Sequence, residues 1–391
     1  MQPGLRRYYV LAVATLGFVV QGLSLFSYPT ISTLVSHQFV LSNTESGILT
    51  SAFVLTYTIV QIPAGLVADR IGGSKTLLLC LSIVTVAPPI FILGGNFDAA
   101  LLSRAIAGLG AGMILPSGVR ILSSSFPPKE LHRATGVLGT GWGQSQVLAF
   151  LVLPVLIFGQ NWRPPLEFSA AFTLAITLLA ILPVKWGTTK MSSSSLKMVD
   201  ARSLMTKKLF ILVLGNFTAL VVMVGVLAWI PAFLNARLGL NEVDAGRLIA
   251  VIGVVGIVAS FAGGILSQKI GPRPVILISM VLLAASPYFI GISGSWQVAL
   301  FWMSMLGIGG SLYFGPLTAL VPYSSDRGVE FAGLSFGIFN TMSNVGSFIS
   351  PIIIGYALDT TGSYLVGFTA LGALGISGVV GALLIRERRT S

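Results

Sequence analysis

Gly65-Leu-Val-Ala-Asp69-Arg70-Ile-Gly72-Gly73-Ser-Lys75 is a short charged turn set between two long apolar runs. Its frame returns 199 positions later as Gly264-Ile-Leu-Ser-Gln268-Lys269-Ile-Gly271-Pro272-Arg273-Pro274, with Gly65 over Gly264, Ile71 over Ile270 and Gly72 over Gly271. Two further matches keep the same order along the chain. Gly108-Leu-Gly110 lies over Gly307-Ile-Gly309, and Arg133-Ala-Thr-Gly136 through Pro154 lies over Glu330-Phe-Ala-Gly333 through Pro351. One such match arises easily by chance; three in order mean an internal duplication, and parallel repeats of six helices are an architecture of transporters.

The runs around the turn set the class. Of the 391 residues 54% are apolar and 9% charged, against about 25% charged in a soluble domain. The runs are near or above the ~20 residues a helix needs to cross hydrocarbon, and they do not alternate as barrel strands would. Spans are predicted over residues 8–30, 45–67, 75–95, 97–124, 131–158 and 164–185, then 207–235, 243–267, 273–292, 296–322, 329–357 and 363–385. The expected fold is all-α and integral to the membrane, with twelve transmembrane helices in two pseudo-symmetric six-helix bundles. Residues 1–185 form the first bundle, 186–206 a cytoplasmic linker and 207–391 the second. The linker holds Met191-Ser-Ser-Ser-Ser195 and is polar and basic. The first run, from Tyr8 to about Thr30, is too long for a signal h-region and reads as a retained span.

The net charge of +11 has a topological reading. With the N-terminus inside, most of the 23 Lys and Arg fall on one side, from Arg6 and Arg7 through Arg70, Lys75, Lys129 and Arg133 to Arg386, Arg388 and Arg389, while Arg163, Arg237 and Arg247 fall on the other. This asymmetry places both termini in the cytoplasm. The partner that the basic charge answers is the lipid bilayer and not a nucleic acid, and the location expected is the plasma (inner) membrane. The single Cys80 allows neither a disulfide framework nor a thiolate cluster. His37 and His132 sit at opposite sides, and no run has the spacing of a metal, nucleotide or nucleophile motif. No metal, no cofactor and no enzymatic activity are expected.

Gly65-x-x-x-Asp69-Arg70-x-Gly72-x-x-Lys75, the Arg104-x-x-x-Gly108-x-Gly110 run of the fourth span and the weaker second turn together resemble the major facilitator superfamily over the whole chain. The resemblance implies secondary active transport by alternating access, with a midplane site lined by spans 1, 4, 7 and 10 and with spans 2, 5, 8 and 11 at the bundle interface. It also implies that Gly65, Asp69, Arg70, Gly72 and Lys75, answered by Arg120 near the end of span four, form a latch between conformations. Asp69 closes span two, where the helix C-terminus disfavours a carboxylate unless a cation answers it. Span five, Gly136-Val-Leu-Gly139-Thr-Gly141-Trp142-Gly143-Gln144-Ser-Gln146, lacks the Gly-Pro pair of many proton-driven drug exporters. Ser125-Phe-Pro127-Pro128-Lys-Glu130 through Gly136 resembles the loop after span four in anion-carrying members, including nitrate and organic-acid carriers.

Ionisable groups at membrane depth cost at least ~2.5–3.5 kcal/mol, so each needs a partner or a purpose. Arg104 has two readings: a fork for an anionic oxygen pair, or a brace bonding to carbonyls of a neighbouring span. Gly108 and Gly112 lie on its stripe, where another backbone can approach. Arg247 has Asp244 three residues before it, a spacing that allows an interfacial ion pair; the other reading, an acid and an Arg of span eight handling proton and anion together, rests on a resemblance to carriers of short monocarboxylates, which usually place the pair deeper and four apart. All twelve Asp and Glu lie in loops or end turns. Only Glu45, Glu242 or Asp244 approach a proton-coupling position, so exchange, facilitated flux or an edge carboxylate is expected. Gln21, Tyr57, Gln146, Asn216, Tyr313, Asn340 and Asn344 complete the solute-contact set, each equally able to glue helices together. The expected cargo is a small polar, anionic solute, with a coupling ion or counter-substrate, carried by a monomer. The alternatives are a drug or sugar exporter working as a proton antiporter, and a transporter-like sensor.

Overall fold

The computed structural model describes residues 3–185, 205–324 and 332–385. Among the described residues the secondary structure is helical apart from one isolated bridge, Phe158 with Asn161. The first half runs α1 (Pro3–Phe39), α2 (Asn43–Ile71), α3 (Gly73–Gly94), α4 (Phe97–Gly112), α5 (Ile114–Ser125), α6 (Pro128–Val147) and α7 (Arg163–Lys185). The second half runs α8 (Lys207–Leu238), α9 (Glu242–Ile270), α10 (Pro272–Gly291), α11 (Trp296–Leu312), α12 (Phe314–Leu320), α13 (Ala332–Thr361) and α14 (Tyr364–Leu384). Among the described residues ten helical stretches are long and apolar enough to cross a membrane, and α2 and α6 are not among those ten. The chain separates into two compact units, Met1–Leu41 with Ala52–Leu196 and Ser42–Ser51 with Lys197–Ser391. The predicted linker falls almost wholly on 186–204, outside the described residues.

Two of the predicted spans are broken helices. The run 97–124 divides at Met113 and the run 296–322 divides at Tyr313, each three residues before a proline, Pro116 and Pro316. Proline lacks the N–H that would bond the carbonyl four residues back and crowds that turn, but it is tolerated in the first turn of a new helix. The predicted span 131–158 ends differently. Beyond α6 the backbone widens into a π turn at Leu148–Val152 and then tightens into a 3-10 turn at Leu153–Leu156 around Pro154. The carbonyl of Ala149 in the π turn accepts from Thr30 Oγ1 at 3.4 Å.

The duplication is visible in backbone detail. Gly72 has φ 88° and Gly271 φ 86°, the left-handed region where a Cβ is penalised, so both copies of the turn need glycine there. A Cβ on Gly108 would meet the Phe53 carbonyl at 2.2 Å, and one on Gly307 the Ile252 carbonyl at 2.7 Å. A Cβ on Gly110 would meet Cys80 O at 2.8 Å, and one on Gly309 Ser279 O at 3.0 Å. Every one of these pairs is related by the shift that relates the turns. α4 on α2 and α3 therefore repeats as α11 on α9 and α10, with small residues letting backbones touch where lipid gives no hydrophobic drive.

Candidate functional site

Arg104 projects from α4 into the first unit and is 3% exposed. Nη1 donates to the carbonyl of Ser24 and Nη2 to that of Leu25 at 3.2 Å, both in α1. The reason lies four residues on. Pro29 has no N–H, so the Leu25 carbonyl is left without its helical donor, and the guanidinium supplies one. The cation lies over the rings of Phe53 at 4.7 Å and Tyr28 at 5.7 Å. The bracing role open in the sequence is thus present in the geometry. α2 comes close along the glycine stripe beside it: a Cβ on Gly112 would meet the Tyr57 carbonyl at 2.4 Å, and Thr56 Oγ1 donates to Ala105 O at 2.8 Å.

A small cavity of about 20 Å³ lies next to Arg104, between α1, α3, α4 and α7. Ser24, Ser27, Ser103, Ser169 and Thr173 line it. These hydroxyls donate elsewhere, to the carbonyls of Val20, Ser24, Ala87, Pro165 and Ser169. They turn lone pairs to the cavity, an arrangement that suits a water molecule in both size and chemistry.

The polar residues expected to contact solute pair up within each unit. In the first, Gln21 Nε2 of α1 donates to Tyr57 Oη of α2 at 3.2 Å. Gln21 is buried and its Oε1 has no partner among the described residues. In the second, Tyr313 Oη, at the α11–α12 break, donates to Asn216 Oδ1 of α8 at 2.8 Å. Each unit thus joins an amide on its first helix to a tyrosine on another. Asn340 and Asn344 share a face of α13, with Asn344 Nδ2 donating to Asn340 O at 2.8 Å. Gln146 is buried near the end of α6.

The ionisable residues at the helix starts are differently occupied. Arg247 is exposed and paired with Asp244 at 2.9 Å, the interfacial pair of the two readings. Asp244 also receives Asn241 Nδ2, while its N–H donates to Asn241 Oδ1 and caps α9. Glu45 accepts from the N–H and hydroxyl of Ser42, and its own N–H donates to Ser42 Oγ, a reciprocal capping box at the start of α2. Two of the three acids nearest a coupling role are therefore engaged in capping. Of the expected latch, Arg70 and Lys75 are exposed, Gly65 is half-buried and open on its Cβ side, and Gly72 turns the chain into α3, where Gly73 abuts the Ser117 carbonyl of α5, the helix carrying Arg120. The side chain of Asp69 lies outside the described residues.

Sequence reasoning missed Asp359. It sits in the last turn of α13, and its carboxylate receives four hydrogen bonds from Asn43 and Thr44. The local signal was a carboxylate at a helix C-terminus, where the macrodipole disfavours it. Three tryptophans of the apolar runs take part in packing: Trp142 lies beside Phe18 and Phe26, Trp229 donates to Pro351 O at 2.9 Å, and Trp302 stacks on Phe289.

The model of the Major Facilitator Superfamily matches residues 13–269 and 248–391. A protein named a probable sulfoacetate transporter in Cupriavidus necator is 24% identical over 98% of this chain and 95% of its own length. A nitrite extrusion protein of Bacillus subtilis is 25% identical over 87% of this chain and 85% of its own. A probable nitrate transporter of Staphylococcus aureus is 25% identical over 94% and 93%. Among solved structures, a bacterial homologue of the human lysosomal transporter Spinster, inward-facing and unoccupied, superimposes with a TM-score of 0.76 at 21% identity, covering 96% of this chain and 95% of that one.

Proposed function

The chain belongs to the major facilitator superfamily, a family of transporters and not of enzymes, and on that premise we propose that it carries a small polar anion by alternating access. One observation carries the choice of an anion. Arg104 is the single charged side chain that is buried among the described residues, so the interior of the first unit is cationic with no buried carboxylate described beside it. An anion entering such a site restores neutrality, and a cation would be repelled. Relatives named for sulfoacetate, nitrite and nitrate support this reading.

Within the proposal, Arg104 acts through its field, because two of its donors hold α1 carbonyls. Direct contact falls to the amide–tyrosine pairs Gln21–Tyr57 and Asn216–Tyr313, with Gln146, Asn340 and Asn344 as further contacts. Amides and phenols can donate to an anion without the desolvation cost of a second buried cation. Arg247 stays an edge residue that meets the solute on entry. Asp69, Arg70, Lys75 and Arg120 form a latch of opposite charges around the Gly65–Gly72 turn. The chain has twelve spans with both termini cytoplasmic, resides in the plasma (inner) membrane as a monomer, and exchanges its solute against a counter-substrate or coupling ion.

The test is a thermal-shift screen of small anions, sugars and lipophilic cations on purified protein, followed by counterflow in proteoliposomes. Stabilisation by one anion series, reduced in Gln21→Ala and Asn216→Ala and followed by counterflow of that anion, is expected. Stabilisation by lipophilic cations alone would replace the anion carrier with a drug exporter, and anion binding without counterflow would make the protein a sensor.

A further inference from the structure

The start of α2 is capped by a residue 316 positions away. Asp359 Oδ1 accepts from the Asn43 N–H at 3.0 Å and from Asn43 Nδ2 at 2.9 Å, and Oδ2 accepts from the Thr44 N–H at 2.8 Å and from Thr44 Oγ1. A helix start leaves its first N–H groups without intrahelical partners. Here Asp359 takes those of Asn43 and Thr44, and the Ser42 hydroxyl takes that of Glu45. The carboxylate, disfavoured by the C-terminal end of its own helix, lies against the positive end of another. Its placement makes sense only through α2.

The docking continues along one stripe of α13. Gly355, one turn before Asp359, lies so close to α2 that a Cβ would meet the Asn43 carbonyl at 2.4 Å. One turn earlier still, the Pro351 carbonyl lies 2.6 Å from where a Cβ on Gly47 would stand. Backbone touches backbone at Gly47 and Gly355, and the carboxylate closes the end. The consequence is seen in the packing: Ser42–Ser51 belongs to the second compact unit, whereas α2 from Ala52 onward belongs to the first.

We propose that Asp359 is the positioning residue of a releasable clamp on the first turns of α2, and that its release and re-formation is a step of the transport cycle. The cyclic role rests on the transporter reading above; the clamp itself does not. Every bond in it is local to one carboxylate and two residues, so it can open without unfolding either helix.

The chain's only cysteine, Cys80, is buried, so Cys80→Ala provides a background for a reporter. Ser51→Cys replaces a buried hydroxyl that has no hydrogen-bond partner among the described residues, within the segment that packs with the second unit. Asp359→Ala is expected to raise maleimide labelling at this cysteine, and amide exchange over residues 43–47, by roughly tenfold, as the loss of charge-assisted bonds to a helix start predicts. Thr44→Val and Gly355→Ala, which leave the carboxylate in place, should act in the same direction and carry the test if Asp359→Ala fails to insert. Unchanged labelling and exchange in all three would overturn the clamp. Raised exchange with an unaltered counterflow rate would overturn its place in the cycle. Wild-type protein without counterflow of any solute would refute the transporter reading and with it the cyclic role, while the labelling result would still decide the clamp.

Discussion

α4 with α5 and α11 with α12 have the same backbone and different interiors. Both break three residues before a proline, both bring glycines against the helix two before them, and both follow a turn whose glycine has φ near 87°, 88° in one copy and 86° in the other. Yet where the first carries Arg104, the second carries Met303, buried and apolar. The helices they face each contain a proline, Pro29 in α1 and Pro231 in α8, but the second lies one turn away from the place that corresponds to the first, Ala228. Duplication preserved what the backbone requires and left the side-chain chemistry free to diverge. The helix starts teach the same lesson. Ser42 with Glu45 and Asn241 with Asp244 are capping pairs in register, but α9 has its own Glu242 at the first position, while α2 has Asn43 and draws on Asp359.

The comparison can be broken most severely by exchanging the interior residues. Met303→Arg should lower the accumulation of folded protein, since Pro231 frees the carbonyl of Leu227 and not that of Val224, the counterpart of Leu25, and burial of an unpartnered charge costs at least ~2.5–3.5 kcal/mol. Arg104→Met should fold but lose about 1–3 kcal/mol through the Leu25 carbonyl left without a donor, read as a fall in melting temperature. Adding Pro29→Ala should recover part of that loss by returning a helical donor to Leu25. No recovery would mean that Arg104 stabilises by some route other than the proline gap.

A smaller effect separates the contacts between neighbouring helices. A Cβ on Gly112 would meet the Tyr57 carbonyl, whereas in the second half the small residue has moved to the partner helix, where a Cβ on Gly256 would meet Ser311 Oγ at 2.7 Å. Gly112→Ser should therefore cost about 1–3 kcal/mol by overpacking and Ser311→Gly distinctly less, as measured by thermal denaturation in one detergent. Gly72→Ala and Gly271→Ala sharpen the comparison from the other direction: each should cost about 1–2 kcal/mol, and by the same amount, because the two φ values agree. At the bottom of the scale, Glu242→Gln should shift stability by no more than about 0.3–1 kcal/mol, well below the effect of Asp359→Ala on exchange at the start of α2.

Much of this was legible in the chain itself. Apolar runs without alternation announce helices in lipid, and the repeated glycines announce two copies, because the left-handed turn and close backbone approach admit few other residues. The proline breaks at Met113 and Tyr313 were readable in principle from Pro116 and Pro316, but a continuous apolar run masks them. For the candidate site the sequence named polar and charged residues without their partners. It offered Arg104 both a ligand and a brace; Gln21, Tyr57, Asn216 and Tyr313 were chosen as polar groups in apolar runs, with no sign that they pair.

Sequence alone determined the class, the duplication and the family, since these follow from local properties: the hydropathy of a run, the period of a helix, the conformational demand of a glycine. Tertiary structure alone decided that Arg104 meets Leu25, that Tyr313 meets Asn216 and that Asp359 meets Thr44. Those pairs are separated by tens to hundreds of residues, and a hydrogen bond depends on where two helices cross, which no local pattern specifies.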